Sequence, residues 1–248
     1  ARRALDHARA LGDRALEAKC GRALGQVLLD VGQPAEAERV LADAAALARA
    51  VGVDEARVSA TVLRARASLD LRPGDPVAAA VALDRLLPIT SPARDPEGFD
   101  AMLLAVRARA LAFAGDHGRA REALGLARQR ATGVSLEMRA RALAECCRAA
   151  LATGEAGQAR EVAIVLRSCA LEHRLGLSLW EAEAMLAVLD GLPRPDPSPL
   201  GIGLPEAFRA YNIAWVGQDP PVDAVIGFIE TYKDPRGQKG AFEGIVHF

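Results

Sequence analysis

Aromatic residues are scarce over most of this 248-residue chain, and lysine is almost missing from the same part. Only three of the ten aromatic residues and one of the three lysines precede residue 205. The first 190 residues are instead rich in Ala, Leu and Arg. A change of composition this large indicates two units of different architecture. We therefore predict one domain at residues 1–190 and another at residues 205–248, joined by a linker at residues 191–204.

The sequence also lacks a long apolar run and an excess of either charge. No stretch approaches the roughly 18 apolar residues of a membrane span. The chain has 31 Lys and Arg against 32 Asp and Glu, a formal net charge of -1. This balance gives no electrostatic footprint for nucleic acid or an anionic membrane surface, so we expect neither partner. We interpret the many arginines as surface residues that pair with Glu or Asp of the same helix.

The four cysteines show neither the CxxC spacing nor the neighbouring histidines of a metal site. All four lie within helical patterns, at Cys20, Cys146, Cys147 and Cys169. We expect no metal and no disulfide framework from them. They are interpreted as free, buried thiols that act as small hydrophobic side chains, which fits a cytoplasmic location.

A glycine followed five residues later by an alanine recurs at intervals of about forty residues. The pairs are Gly32/Ala37, Gly74/Ala79, Gly115/Ala120 and Gly154/Ala159. Each alanine is followed by small or apolar residues four and seven positions further on, which places them on one face of a helix. A glycine at a helix end can take the left-handed backbone that closes the helix. The unit is therefore helix, tight turn, helix, and the predicted fold is a mainly α helical-repeat solenoid.

These units resemble tetratricopeptide repeats. The positions that the family pattern fixes are filled in the first unit by Leu24, Gly25, Leu28, Ala37, Leu41 and Ala44. The aromatic positions of the pattern hold Leu or Ala here, and the second unit breaks the register at Arg66 and Asp70. In their length and their Ala and Arg content, the units are more similar to the repeat arrays of large bacterial transcriptional activators. The groove of such an array usually binds a protein or a peptide, which is the expected partner.

The helical pattern ends where four prolines fall within seven residues, at positions 193–199. From residue 222 the pattern alternates with a period of two, which is typical of a strand. Residues 234–237 read Asp-Pro-Arg-Gly, a turn with Pro second and Gly fourth. A second alternating segment follows at residues 241–248. The sequence therefore predicts a Pro-rich linker and then a short β-hairpin.

Three stretches of this last unit resemble an internal segment of the dipeptidyl-peptidase III family of zinc exopeptidases. They read YNIAWV at residues 211–216, GFIETYKDPRG at 227–237 and GAFEG at 240–244. The resemblance implies that Glu230 binds the free amino end of a peptide and that Tyr232 donates a hydrogen bond to the oxyanion. Two residues apart on a strand, Glu230 and Tyr232 point to the same side. The candidate catalytic residue is therefore Tyr232, and the candidate substrate-binding residue is Glu230.

The zinc site of that family uses a helical HExxGH motif and a later glutamate, and these 248 residues contain no such motif. A catalytic zinc needs three protein ligands and an open position for water. We therefore expect no cofactor in this chain, and zinc only if the peptidase continues downstream. The stretch ECCRA at residues 145–149 resembles the second motif of the family superficially, and we interpret it as a chance match.

Three functions are compatible with the sequence. The first is an interaction scaffold that carries an incomplete peptidase segment and has no activity of its own. The second is the front portion of a longer zinc-dependent dipeptidyl peptidase that acts on short peptides. The third is the sensor array of a bacterial transcriptional activator to which the last segment was joined.

Limited proteolysis tests the predicted division of the chain. Because a two-stranded hairpin is marginal in water without more sheet, we expect a protease to cut residues 205–248 well before the repeats. Mass spectrometry of a time course would identify the cut sites. Equal protection of the two parts would show that the last segment docks on the repeats.

Overall fold

The computed structural model describes residues 1–30, 32–71, 75–90, 99–173 and 175–192. These residues are mainly helical, as predicted, and none of their helices is long and apolar enough to cross a membrane. The ten α-helices are α1 (Arg2–Leu11), α2 (Arg14–Asp30), α3 (Pro34–Val51), α4 (Asp54–Asp70), α5 (Pro76–Asp84), α6 (Phe99–Phe113), α7 (His117–Arg130), α8 (Leu136–Ala152), α9 (Ala156–His173) and α10 (Gly176–Leu189). The prolines of the predicted linker and the whole predicted hairpin lie outside the described residues.

Three of the four repeat glycines take the left-handed conformation that closes a helix. The backbone angle φ is 75° at Gly32, 85° at Gly115 and 80° at Gly154. A new helix begins two residues after each of them. Gly74 lies outside the described residues, and the helix before it, α4, already ends at Asp70 with Leu71 in an extended conformation, so the prediction that a glycine closes this helix was wrong. The glycine signal in the sequence therefore marks real helix ends at the three positions that the structure describes.

The small and apolar face predicted after each glycine is buried throughout. The alanines of the four glycine–alanine pairs, Ala37, Ala79, Ala120 and Ala159, are at most 6% exposed. The residues four and seven positions further on are also buried, namely Leu41, Ala44, Leu83, Leu86, Leu124, Ala127, Ala163 and Leu166. This confirms the predicted packing face, because one stripe of each second helix is removed from water in every repeat.

The helices pack in series. The even-numbered helices from α2 to α10 each contact the next even-numbered helix, and each odd-numbered helix from α3 to α9 packs against the two that flank it in the chain. We call these two sets the inner and the outer helices. No packing of comparable extent joins successive outer helices within the described part of the chain. The array therefore curves with its inner helices on the concave side, and serial packing of this kind is what an α-solenoid requires.

At Gly25, α2 packs tightly against Leu41 of α3. A Cβ atom added there would overlap the side chain of Leu41, so only glycine fits. The fourth repeat solves the same crossing differently. Cys147 stands at the place of Gly25, and the residue at the place of Leu41 is the smaller Ala163. In the first repeat, the small Gly25 therefore faces the large Leu41, whereas in the fourth repeat the larger Cys147 is accompanied by the small Ala163.

Many arginines are exposed as predicted, but their partners differ from the prediction. Most of their acidic partners lie on another helix, as in the pairs Arg2–Glu36 and Arg64–Glu38. Among the described residues, only Arg141–Glu137 joins an arginine to an acid four positions away. Three more pairs on one helix are three positions apart, namely Arg9–Asp6, Arg57–Asp54 and Arg148–Glu145. The prediction of partners on the same helix was wrong for most arginines, because neighbouring helices lie within reach of so long a side chain.

Candidate functional site

The two residues that the sequence singles out for peptide chemistry, Glu230 and Tyr232, lie outside the described residues. Their roles stay predictions. Within the described part, the buried charges are found on the inner helices. These charges form the candidate site of the described part.

Glu145 lies in the middle of α8 and is completely buried. A carboxylate is costly to remove from water unless charges and hydrogen bonds compensate it. Its neighbours along α8 are small, with Ala144, Cys146 and Cys147 all at most 1% exposed. These small residues let α8 approach the other inner helices, and three arginines surround the carboxylate.

The three arginines come from three different inner helices. Arg66 of α4 places its Nε atom 2.8 Å from Oε1 of Glu145. Arg148, one turn further along α8, donates a hydrogen bond to the same oxygen. Arg109 of α6 lies on the other side, with Nη1 3.7 Å from Oε2. One carboxylate thus joins α4, α6 and α8.

Two further acids complete the group, which we call the Glu145 cluster. Glu181 of α10 accepts a hydrogen bond from Arg148 and lies 3.8 Å from Nη2 of Arg66. Asp70 of α4 accepts from Arg109. The cluster therefore contains three arginines and three acids, and it is neutral when all six are ionised.

A separate ion pair joins α2 to α8. Arg141 places Nη1 3.2 Å from Oδ2 of Asp30, and the two side chains are only 21% and 19% exposed. Asp30 also accepts from the amide of Gln26 at 2.8 Å, and Arg141 donates to Glu137. The residues of this pair are 111 positions apart, so it ties the first inner helix of the repeats to the fourth.

The electrostatics of the two acids differ. Burial by itself raises the pKa of a carboxyl group. At Glu145 the combined effect of Arg148, Arg66 and Arg109 outweighs burial and lowers the pKa from 4.5 to about 2. At Asp30 burial outweighs Arg141 and raises the pKa above its usual 3.8. Glu145 is therefore ionised near neutral pH and is unsuited to general acid or base catalysis there.

The cysteines beside Glu145 are equally unsuited to chemistry. Burial, aided by the charge of Glu145, raises the pKa of Cys146 to about 12. Burial raises the pKa of Cys147 to about 11, and its Sγ donates a hydrogen bond to the carbonyl of Ala159. Thiols with such pKa values are poor nucleophiles at neutral pH. The predicted burial is confirmed for Cys146, Cys147 and Cys169, whereas Cys20 is half-buried.

Two other kinds of site can be assessed in the described residues, a metal centre and a surface cleft. No group of three or more His, Cys, Asp or Glu among them is arranged to hold a metal ion. A cleft of about 240 Å³ lies between α1, α2 and α3. Its charges largely neutralise one another, as in the pairs Arg2–Glu36 at 3.0 Å and Arg9–Glu17 at 2.9 Å. This cleft therefore has no strong preference for a ligand of either charge.

Sequence reasoning misses the cluster although its signal is present. From the sequence, Arg66 and Asp70 are a break in the repeat register, and Glu145 belongs to a chance match. Nine residues before the repeat glycine, the first three units have Ala23, Ala65 and Val106, whereas the fourth has Glu145. A charged residue at a position that other repeats fill with an apolar one is the signal that predicts a buried charge.

The lowered pKa of Glu145 predicts a loss of stability in acid. Because this pKa is lower in the folded protein than in the unfolded chain, the carboxylate stabilises the fold above pH 4.5, and the contribution is lost as the pH falls from 4.5 towards 2. We expect the difference in unfolding free energy between the wild type and Glu145→Gln to shrink over this range. Urea unfolding at several pH values measures this difference. The titration of Asp30 contributes equally to both proteins and therefore cancels from the difference. A difference that stays constant with pH would contradict the prediction.

By its fold, the described part is a helical protein built from repeated helix pairs. Comparison with known proteins adds a second component. Residues 201–248 match the model of Peptidase family M49, the dipeptidyl-peptidase III family. This confirms the resemblance seen in the sequence for that segment, which is less than a fifth of the chain. No curated protein and no solved structure matches the chain.

Proposed function

We propose that this chain joins a helical-repeat interaction scaffold to a segment of a dipeptidyl peptidase, and that these 248 residues do not hydrolyse peptides by themselves. The observation that carries the proposal is the match of residues 201–248 to Peptidase family M49. The match lies wholly outside the helical array of residues 1–192. The two parts therefore contribute different functions.

The peptidase segment supplies part of a peptide site in this proposal. Glu230 binds the free amino end of a peptide through its negative charge. Tyr232 donates a hydrogen bond to the oxyanion that develops at the scissile carbonyl. Both roles rest on the family resemblance and on the spacing of two residues along a predicted strand.

The zinc site of the family has no counterpart in this sequence. When bound, zinc activates the attacking water and polarises the scissile carbonyl. The printed sequence has no HExxGH motif, and the described residues do not form a group that fits a metal. Zinc ligands would have to come from a continuation of the chain, so the attack of water is assigned to no residue of these 248, and the role of Tyr232 depends on that continuation.

A hydrolysis assay tests this proposal. The purified chain is incubated with fluorogenic dipeptidyl substrates, with and without added zinc, and we expect no zinc-dependent release of dipeptides. Tyr232→Phe serves as the control for contaminating peptidases, because activity that persists unchanged in this variant does not come from the proposed site. Zinc-dependent release that Tyr232→Phe abolishes would overturn the proposal.

The main alternative is the front portion of a longer zinc-dependent dipeptidyl peptidase. The family match favours it, because the segment that matches belongs to an enzyme family. Reading the source DNA past the codon for Phe248 decides between the two. An unbroken frame that reaches an HExxGH motif supports the alternative, whereas a stop codon supports the scaffold.

For the helical array, we propose a protein or peptide as the partner. The centre of the inner face is an unsuitable contact surface, because Arg66, Arg109 and Glu145 are at most 7% exposed and are occupied with one another. A partner therefore binds beside the Glu145 cluster rather than over it. The sensor array of a bacterial activator remains a further alternative. It would be supported if the DNA upstream of the codon for Ala1 encodes a nucleotide-binding loop in the same reading frame.

A further inference from the structure

We propose that the Glu145 cluster and the Asp30–Arg141 pair together form a latch that holds the helical array in a tightly curved form. This inference concerns the array alone and does not depend on the peptidase segment. It rests on which helices the ion pairs join, on their burial, and on the packing of inner and outer helices.

The ion pairs join helices that are not neighbours. In a repeat array each unit normally contacts only the adjacent units. Here Arg66 of α4 reaches past α6 to Glu145 of α8, and it also approaches Glu181 of α10. The Asp30–Arg141 pair reaches from α2 to α8. These ties shorten the inner face, which agrees with close packing among the inner helices and its absence between successive outer helices of the described part.

The latch depends on charge more than on close hydrogen bonding. Three buried atoms of the Glu145 cluster have no hydrogen-bond partner within the described residues, namely Nε of Arg66, Nη1 of Arg109 and Oε2 of Glu145. Buried polar atoms in this condition raise the free energy of the curved form, because water would satisfy them if the array opened. Attraction between the charges offsets this cost. Removing the charge of Glu145 takes away the attraction that ties α4 and α6 to α8, while the cost of the buried arginine atoms remains, so the array opens.

A distance measurement across the full-length chain tests the latch. Spin labels are attached through an unnatural ketone amino acid at Ala46 of α3 and Ser168 of α9, two exposed positions on outer helices near the two ends of the array. This chemistry leaves the native cysteines unlabelled. Pulsed electron paramagnetic resonance then compares the wild type with Glu145→Gln. We expect a longer mean distance and a broader distribution in the variant, with unchanged helical content by circular dichroism.

Two further variants make the result decisive. Glu155→Gln removes the exposed pair Arg121–Glu155, which joins neighbouring units, and should leave the distance unchanged. Arg141→Gln removes the tie between α2 and α8 while the Glu145 cluster stays intact, and should also lengthen the distance. If Glu145→Gln loses its helical content, Arg141→Gln decides alone. If Glu145→Gln is folded and keeps the wild-type distances, the proposal is overturned and the cluster is a purely stabilising feature. If Glu145→Gln is unfolded, wild-type distances in Arg141→Gln overturn the proposal in the same way.

Discussion

Glu145→Ala is expected to lower the free energy of unfolding of the helical array by about 3 to 5 kcal/mol. The substitution removes the carboxylate that Arg66, Arg109 and Arg148 share and leaves three like charges close together. The site is fully buried, so water screens these charges poorly. Urea unfolding at neutral pH, followed by circular dichroism, measures the loss.

The matched control is Glu155→Ala, which removes the half-buried partner of the exposed Arg121. Its expected effect is at most about 1 kcal/mol, since surface ion pairs contribute little. Added acetate should restore part of the stability of Glu145→Ala, because a small carboxylate can occupy the space between the arginines. Sodium chloride at the same ionic strength should restore less. Equal losses in the two variants would show that burial of the charge is unimportant.

The second large effect is expected at the crossing of Gly25 and Leu41. Gly25→Ala places a methyl group where the side chain of Leu41 already lies, and overpacking of this kind costs about 1 to 3 kcal/mol. Leu41→Ala by itself leaves a cavity at a completely buried site and costs about 2 to 5 kcal/mol. In the double variant the new methyl group fills part of that cavity. We therefore expect the double variant to be more stable than the sum of the two losses predicts.

A double-mutant cycle measured by urea unfolding gives this coupling directly. Gly125→Ala in α7 is the control, since an added Cβ atom there meets nothing within 4 Å. It should stabilise the protein by up to about 1 kcal/mol through helix propensity alone. Additive losses at Gly25 and Leu41 would mean that the two helices shift apart to make room.

The repeat architecture is predictable from the sequence because its determinants are local. At the three described positions a glycine ends the first helix of the unit, and an alanine five residues later begins a packing face, so both signals lie within one helical hairpin. Pro34 and Pro76 fit the same pattern, since each stands at the first position of its helix. Local signals of this kind predict the helix ends and packing faces even where the sequence departs from the pattern of a known repeat family.

The charge cluster is not predictable in the same way, because its partners are far apart in the chain. Arg66 and Glu145 are separated by almost two repeats, and only the curvature of the array brings them together. An i,i+4 rule considers one helix at a time and therefore assigns such arginines to the surface. Glu230 and Tyr232 fall outside the described residues, so for them the family match of their segment supplies the support.

The positions of the four cysteines allow local opening of the helical array to be measured in the native chain by thiol labelling. Cys20 lies half-buried in α2, whereas Cys146, Cys147 and Cys169 are buried in α8 and α9. A thiol reagent should therefore modify Cys20 first and reach the other three only when the later helices separate. Peptide mass spectrometry of a labelling time course would then rank the two ends of the array by how often each one opens, without any substitution in the protein.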